Sequence, residues 1–104
     1  MTRPTSFPSH DQDALEARDT QDTRAVRALY FAAARERVGV QEERISLPQP
    51  YLLTTLKSLI YQRHPGLEPL DSYLRWAVNQ RFVEEDQELG AGDEVALIPP
   101  ISGG

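Results

Sequence analysis

The residues with the clearest chemical potential are the last two, Gly103 and Gly104. A chain end without side chains can enter a slot that is too narrow for any other residue. The preceding Pro99 and Pro100 restrict the backbone to extended geometry and keep the chain straight. Because a stiff tail loses less entropy on insertion, the sequence predicts a tail, 99–104, that is threaded into other proteins.

The segment before the prolines must position this tail. Residues 93–98, Asp-Glu-Val-Ala-Leu-Ile, form an apolar strand that runs into Pro99 without a polar linker. We therefore expect the flexible tail to begin at a fixed distance from a core. Glycine-rich chain ends can also be frayed and without function, so a binding module with an inert tail is an alternative at this point.

Composition limits the function classes. The chain has 104 residues, of which 39% are hydrophobic, and this suits one small domain. A net charge of −5 argues against nucleic acid or an anionic membrane as the main partner. The absence of cysteine excludes disulfides, thiolate metal sites and a cysteine nucleophile.

Metal and membrane sites are not expected either. His10 and His64 lie in unlike contexts without the spacing of metal ligands. No apolar run approaches the roughly 20 residues of a membrane span, and the first residues lack the apolar region of a signal peptide. We therefore expect a cytosolic protein.

The first 24 residues are polar and contain Pro4 and Pro8, so we expect a disordered extension at 1–24. A single domain should cover 25–104, with order beginning at Val26. Its expected elements are a strand at 26–31, a helical turn at 32–38, a strand at 41–47, a helix at 51–63, strands at 74–79 and 82–83, and a last strand at 93–98.

This order predicts an α+β fold, a β-grasp (ubiquitin-like) mixed sheet with one main helix packed across it. The helix carries its apolar stripe at Leu52, Leu56, Leu59 and Ile60. The first and last strands are apolar on both faces and should lie in the centre of the sheet. The face away from the helix should then expose an apolar patch beside the root of the tail.

Three segments together resemble one known family. They are Val-Arg-Ala-Leu-Tyr-Phe-Ala at 26–32, Ala-Val-Asn-Gln at 77–80, and the stretch 92–104 with its Gly-Asp-Glu start and Pro-Pro-Ile-Ser-Gly-Gly end. They are similar to the small, sulfur-carrying subunits of molybdopterin synthase, and the tail is of the eukaryotic type. The resemblance covers about 25–104.

The resemblance implies a reaction at Gly104. A ubiquitin-activating-like enzyme would use ATP and magnesium to convert the ionised terminal carboxylate, a poor electrophile, into a glycyl adenylate. A persulfide would then supply sulfur and leave a thiocarboxylate, which donates its sulfur to cyclic pyranopterin monophosphate to form the molybdopterin dithiolene. The chain would be a carrier that binds no cofactor itself and is no enzyme on its own.

The same resemblance implies two partners. One is the large catalytic subunit of molybdopterin synthase, in a heterotetramer of two plus two chains, and the other is the adenylyltransferase and sulfurtransferase that loads Gly104. The tail residues expected to insert are Pro99, Pro100, Ile101, Ser102 and Gly103. The residues expected to contact partners are Leu29, Phe31, Arg35 and Ile98.

Another function class shares the fold and the tail. A ubiquitin-like modifier would join Gly104 to lysines of target proteins through isopeptide bonds. The Pro-Pro lead favours the sulfur carrier. Lys57 is expected to be a solvent-facing charge rather than a conjugation site, and Asp93 is open to either a turn role or a docking role.

Overall fold

The computed structural model describes residues 22–100, which form one sheet and three helical segments. The strands are β1 (Thr23–Tyr30), β2 (Glu42–Pro48), β3 (Arg75–Val78), β4 (Arg81–Val83) and β5 (Glu94–Ile98). The α-helices are α1 (Ala32–Val38) and α2 (Leu53–Arg63), and a 3₁₀ helix covers Pro65–Tyr73, where a loop was expected. Within this part of the chain, no helix has the length and apolar character to cross a membrane.

The five strands pair in the order β2-β1-β5-β3-β4. β1 and β5 are parallel neighbours, and the other adjacent pairs are antiparallel. A strand with neighbours on both sides is shielded on both edges, and this suits the continuous apolar run of Val95, Ala96 and Leu97. The prediction that the first and last strands lie in the centre of a mixed sheet is confirmed.

β1 begins earlier than the sequence predicts. It starts at Thr23 rather than at Val26. The guanidinium of Arg24 pairs with the Glu88 carboxylate at 3.0 Å, and the strand is hydrogen-bonded to β2 from its first residue. Disorder was therefore the wrong prediction for Thr23 and Arg24, because distant partners stabilise a polar stretch. Residues 1–21 of the expected extension lie outside the described part.

α1 follows β1 directly and ends at Gly39, as predicted. Gly39 has φ +93, and its N–H donates to the carbonyl of Arg35 at 2.8 Å. Glycine suits this cap because it adopts the left-handed region without steric cost. At the start of the helix Ala32 has φ +50, which residues with a side chain rarely adopt. This bend lets the chain pass from strand to helix within one residue.

The core lies between one face of the sheet and α2 with the 3₁₀ helix. Leu53 replaces Leu52 in the buried stripe of α2, and Leu59 is half-buried. Trp76 and Val78 are both buried, since they alternate along β3 and share its core-facing side. The largest fully buried side chains are Tyr30, Ile45, Leu47, Leu53, Leu56, Ile60, Leu67, Leu89, Leu97, Val26 and Val95.

A residue distant in sequence caps the N-terminus of α2. Leu52 holds the N-cap position and has no side-chain acceptor to offer. The Asp86 carboxylate instead accepts hydrogen bonds from the Thr54 backbone N–H at 2.9 Å and the Thr54 hydroxyl at 3.0 Å. The hydrogen bond from the Thr54 backbone is the main cause that holds the pKa of Asp86 below its usual value. α2 therefore begins at Leu53 instead of residue 51.

Replacing Asp86 by Ala should lower the urea midpoint of unfolding clearly, because two donors of Thr54 lose their acceptor. Asp86→Asn should lower it less, since the amide oxygen still accepts. Urea titrations followed by circular dichroism measure both. Glu85→Ala is the matched control, because Glu85 is an exposed neighbour without a hydrogen bond among residues 22–100. Equal midpoints for Asp86→Ala and Glu85→Ala would contradict a stabilising cap.

A half-buried polar cluster joins β2 to the end of α2. The Glu43 carboxylate accepts a hydrogen bond from the Tyr30 hydroxyl at 2.7 Å and lies 2.9 Å from Nε2 of His64. Arg63 approaches its other oxygen at 3.9 Å. Burial by itself raises the pKa of Glu43, but the hydrogen bonds and the charges of His64 and Arg63 outweigh burial. The pKa of Glu43 is therefore lower than its ordinary value.

The lowered pKa makes this cluster a source of acid sensitivity. Its stabilisation is complete above the unfolded pKa, about 4.3, and is lost as the pH falls through the lower folded value. We expect Glu43→Gln to reduce the free energy of unfolding by about 1 kcal/mol at neutral pH. At pH ~3 the difference from the wild type should be smaller than at neutral pH, because protonation of Glu43 removes its charge. Urea titrations at both pH values measure this difference in the free energy of unfolding, and Glu42→Gln, at a more exposed glutamate, is the control. A difference independent of pH would contradict an effect of the Glu43 charge.

Candidate functional site

The tail leaves the domain at the edge where β1 and β5 both end. Their parallel pairing brings the two ends together, and the Phe31 N–H donates to the Leu97 carbonyl at 3.2 Å. Ile98 is half-buried, Pro99 is buried and Pro100 is exposed. Pro99 is therefore part of the body, although the flexible tail was expected to start there. The predicted tail residues Ile101, Ser102, Gly103 and Gly104 lie outside the described residues.

Two linked turns fix the start of β5. The Asp93 carboxylate accepts hydrogen bonds from the Gly90 N–H at 2.7 Å and from the Asn79 amide at 3.0 Å. The Asn79 side-chain oxygen accepts from the Glu94 N–H at 3.0 Å. Asn79 and Gln80 have φ +50 and +71, the left-handed geometry of a tight hairpin between β3 and β4. Asp93 thus has the turn role, and it ties the hairpin to the central strand.

The sheet face opposite α2 carries an apolar row. The strand register places Leu29, Ala96, Ala77 and Phe82 side by side across β1, β5, β3 and β4. Ala77 and Ala96 are buried, yet they do not belong to the core cluster beneath α2. Phe82 is 54% exposed. We call Leu29, Ala77, Ala96, Phe82 and Ile98 the open face.

The predicted partner-contact residues fall into two groups. Leu29 and Ile98 belong to the open face, and Phe31 lies beside them, 45% exposed and with extended backbone angles. The structure therefore brings these three together at the root of the tail. Arg35 is exposed on α1, where its backbone N–H donates to the Phe31 carbonyl at 3.3 Å. Its guanidinium makes no ion pair within residues 22–100.

Sequence reasoning did not identify Phe82 or Arg75. Arg75 lies opposite Ile98, and its guanidinium carbon is 4.0 Å from the centroid of the Phe82 ring. Alternation with Trp76 places Arg75 and Ala77 on the side of the sheet that carries the open face. The tight turn after β3 sets Phe82 opposite Ala77. Both signals were present in the sequence. The pairing of β3 with β5, which joins them to the tail root, had no local signal.

Three arginines and two glutamates surround the open face, although acidic residues outnumber basic ones in the whole chain. Arg27 lies on one side of the apolar row and pairs with Glu42 at 3.4 Å and Glu94 at 3.7 Å. Its cross-strand neighbour Arg44 is exposed and has no ion pair in the described range. Arg75 lies on the other side of the row. Arginines therefore flank the apolar row on both sides. Among residues 22–100, no group of three His, Cys, Asp or Glu is placed to bind a metal ion.

Comparisons with a family profile, with known sequences and with solved structures agree with one another. The profile of the ThiS family matches residues 28–104. A human protein named molybdopterin synthase sulfur carrier subunit is 45% identical over 82 residues, which make up 76% of this chain and 93% of that protein. The structure of a putative molybdopterin converting factor, subunit 1, from Pyrococcus furiosus has a TM-score of 0.68 and 35% identity. The match covers 75% of this chain and 99% of that one.

A further neighbour is a complex of subunits 1 and 2 of molybdopterin-converting factor from Helicobacter pylori. Its chain matches with a TM-score of 0.59 at 23% identity, over 77% of this chain and 99% of that chain. At this identity the match shows the fold alone, and with the sheet order it confirms the predicted β-grasp architecture. The chain belongs to the ThiS family and, within it, to the molybdopterin synthase sulfur carrier subunits.

Proposed function

We propose that this chain carries sulfur as a thiocarboxylate on Gly104 and delivers it to cyclic pyranopterin monophosphate within a molybdopterin synthase. The observation that carries the proposal is the root of the tail. Pro99 is buried at the end of the central strand β5, and Pro100 is exposed, four residues before the end of the sequence. The sheet thus fixes the position from which the last residues start, and a fixed start lowers the entropy lost when a tail inserts into a partner.

The terminal carboxylate needs activation before it can accept sulfur. Its ordinary pKa of about 3.5 leaves it ionised at neutral pH, and an ionised carboxylate resists nucleophilic attack. In the proposed sequence, a ubiquitin-activating-like enzyme forms a glycyl adenylate from ATP with magnesium. A persulfide sulfur of the sulfur-donating enzyme then attacks the carbonyl carbon, AMP leaves with the electron pair, and an acyl disulfide forms. A second thiol of that enzyme attacks the enzyme's sulfur in the S–S bond, so that the two enzyme sulfurs form a disulfide and the thiocarboxylate leaves with the bonding electrons. The carrier supplies the acyl group, and its partners supply the catalysis.

We also propose that the large synthase subunit docks on the open face and beside Phe31. The apolar row reaches the tail root through Ile98, so one partner surface can cover the face while the tail enters its active site. The flanking Arg27, Arg44 and Arg75 favour acidic groups around an apolar centre on that partner. The Helicobacter pylori neighbour is described as such a two-subunit complex. A heterotetramer of two plus two chains in the cytosol is the proposed assembly.

Intact mass spectrometry tests the chemistry. Incubation with the activating enzyme, ATP, magnesium and a persulfide donor should raise the mass of the chain by the difference between sulfur and oxygen, and fragmentation should place the change on Gly104. An unchanged mass, beside a control carrier that reacts, would overturn the proposal. Branched Gly-Gly remnants on other proteins after purification under denaturing conditions would instead support the modifier.

A further inference from the structure

Lys57 is the sole lysine of the sequence, and the other ten of the 11 basic side chains are arginines. Arginine stays protonated at neutral pH and does not accept acyl groups there. Lysine does so through its unprotonated amine. The whole chain therefore offers one side-chain amine to an activated carboxyl group.

The structure places this amine against an aromatic ring. Nζ of Lys57 lies 4.9 Å from the centroid of the Trp76 ring, and Lys57 is half-buried rather than solvent-facing as the sequence suggested. Trp76 is 5% exposed and packs edge-on against Tyr61, so the ring is held in place. A cation–π contact stabilises the ammonium, which has no lone pair for attack, and the ring blocks one direction of approach.

A carboxylate adds to this environment. Hydrogen bonds to Thr54 hold Asp86 at the start of α2. Thr54 itself lies about one helical turn before Lys57 on this helix. The Thr54 backbone hydrogen bond is the largest cause of the lowered pKa of Asp86, and the positive charge of Lys57 acts in the same direction. The Asp86 carboxylate and the Lys57 ammonium therefore attract each other.

We propose that Lys57 is shielded from acylation, so that a carrier with an activated terminus does not acylate other copies of itself. This use of the shield rests on the proposed function, whereas the shield itself rests on the contacts of Lys57. In the reaction avoided, unprotonated Nζ attacks the carbonyl carbon of Gly104 in another copy. The C–N bond forms, the C–O bond to AMP breaks with its electrons on AMP, and the amine proton passes to water.

Acylation by N-acetoxysuccinimide measures the shield without any partner enzyme. The full chain is treated at neutral pH, digested, and analysed by mass spectrometry at each site over time. The reference is the double variant Lys57→Arg with Ser58→Lys, which moves the amine to an exposed position on the same helix. We expect Lys57 to react about three- to tenfold more slowly than the amine at position 58. Equal rates would overturn the proposal.

Two variants test the cause. Trp76→Leu removes the ring, and Asp86→Asn removes the charge but keeps an oxygen that accepts from Thr54. Each should raise the rate at Lys57 toward the reference, with the fold checked by circular dichroism. Trp76 is a core residue, so Trp76→Leu can fail to fold. In that case the rate of the Asp86→Asn variant is the deciding measurement. A rate unchanged by every folded variant would overturn the assignment to these contacts.

The consequence for the carrier is tested with a chain bearing a chemically prepared C-terminal thioester. The Lys57→Arg, Ser58→Lys variant should form amide-linked dimers faster than the wild type, and equal dimer formation would overturn the protective role. Neither assay uses the activating enzyme. Failure of sulfur loading with a slow Lys57 would remove the proposed function and leave the shield in place.

Discussion

Deletion of Gly103 and Gly104 will abolish formation of the thiocarboxylate and leave the folded domain intact. In the proposed reaction the activated acyl carbon belongs to Gly104, and a tail ending at Ser102 is shorter and carries a side chain next to its carboxylate. Among residues 22–100 the core cluster runs from Val26 to Leu97, and a glycine has no side chain to add to a core. The readouts are intact mass after the loading reaction and the melting temperature of the purified chain.

The smaller change Gly104→Ala separates the effect of tail length from the effect of a side chain at the terminus. It keeps the length of the tail and its carboxylate and adds one methyl group, so loading should fall strongly if the partner encloses the terminus. Its melting temperature should match that of the wild type. Sulfur loading of the deleted chain at the wild-type rate would contradict the role of Gly104. A melting temperature lowered by many degrees would show that the tail stabilises the domain.

Replacing Phe82 by Asp will weaken binding of the large synthase subunit by at least about tenfold. Phe82 is the most exposed large side chain of the open face, so the change removes apolar contact area and places a charge where a partner must exclude water. The domain should tolerate it, since Phe82 lies outside the core and the new carboxylate lies beside the guanidinium of Arg75. Isothermal titration calorimetry with a purified large subunit measures the dissociation constant.

Gln62→Glu is the matched control for charge. Gln62 is exposed on α2, in the layer behind the opposite face of the sheet, and the variant also gains one negative charge. Its dissociation constant should stay within about twofold of the wild-type value, because a distant surface charge contributes little. Equal weakening by Phe82→Asp and Gln62→Glu would indicate a long-range charge effect and exclude docking on the open face.

The fold was predictable wherever a local pattern had one structural solution. Gly39 could end α1 because glycine adopts the left-handed cap, and Asn79 with Gln80 could form the tight hairpin. The prediction of element boundaries was less accurate where a residue distant in sequence sets the boundary. β1 extends to Thr23 through its pairing with β2, and α2 begins at Leu53 under a cap supplied by Asp86.

The candidate site divides in the same way. The stiff proline lead, the two terminal glycines and the apolar central strand are local properties, so the chemistry expected at Gly104 needed only the sequence. The composition of the open face needed the fold, because Leu29 and Ala96 become neighbours only through the parallel pairing of β1 with β5.

Local sequence patterns were enough to indicate which atoms of this protein are suited to chemistry and which strands are buried, because backbone preference and alternation act between near neighbours. The surroundings of these atoms and strands depend on the folded domain. It placed Arg75 over Phe82 beside the tail root and Lys57 against Trp76. The physical reason is that strand order and helix packing arise from the burial of the whole core, which no short segment encodes.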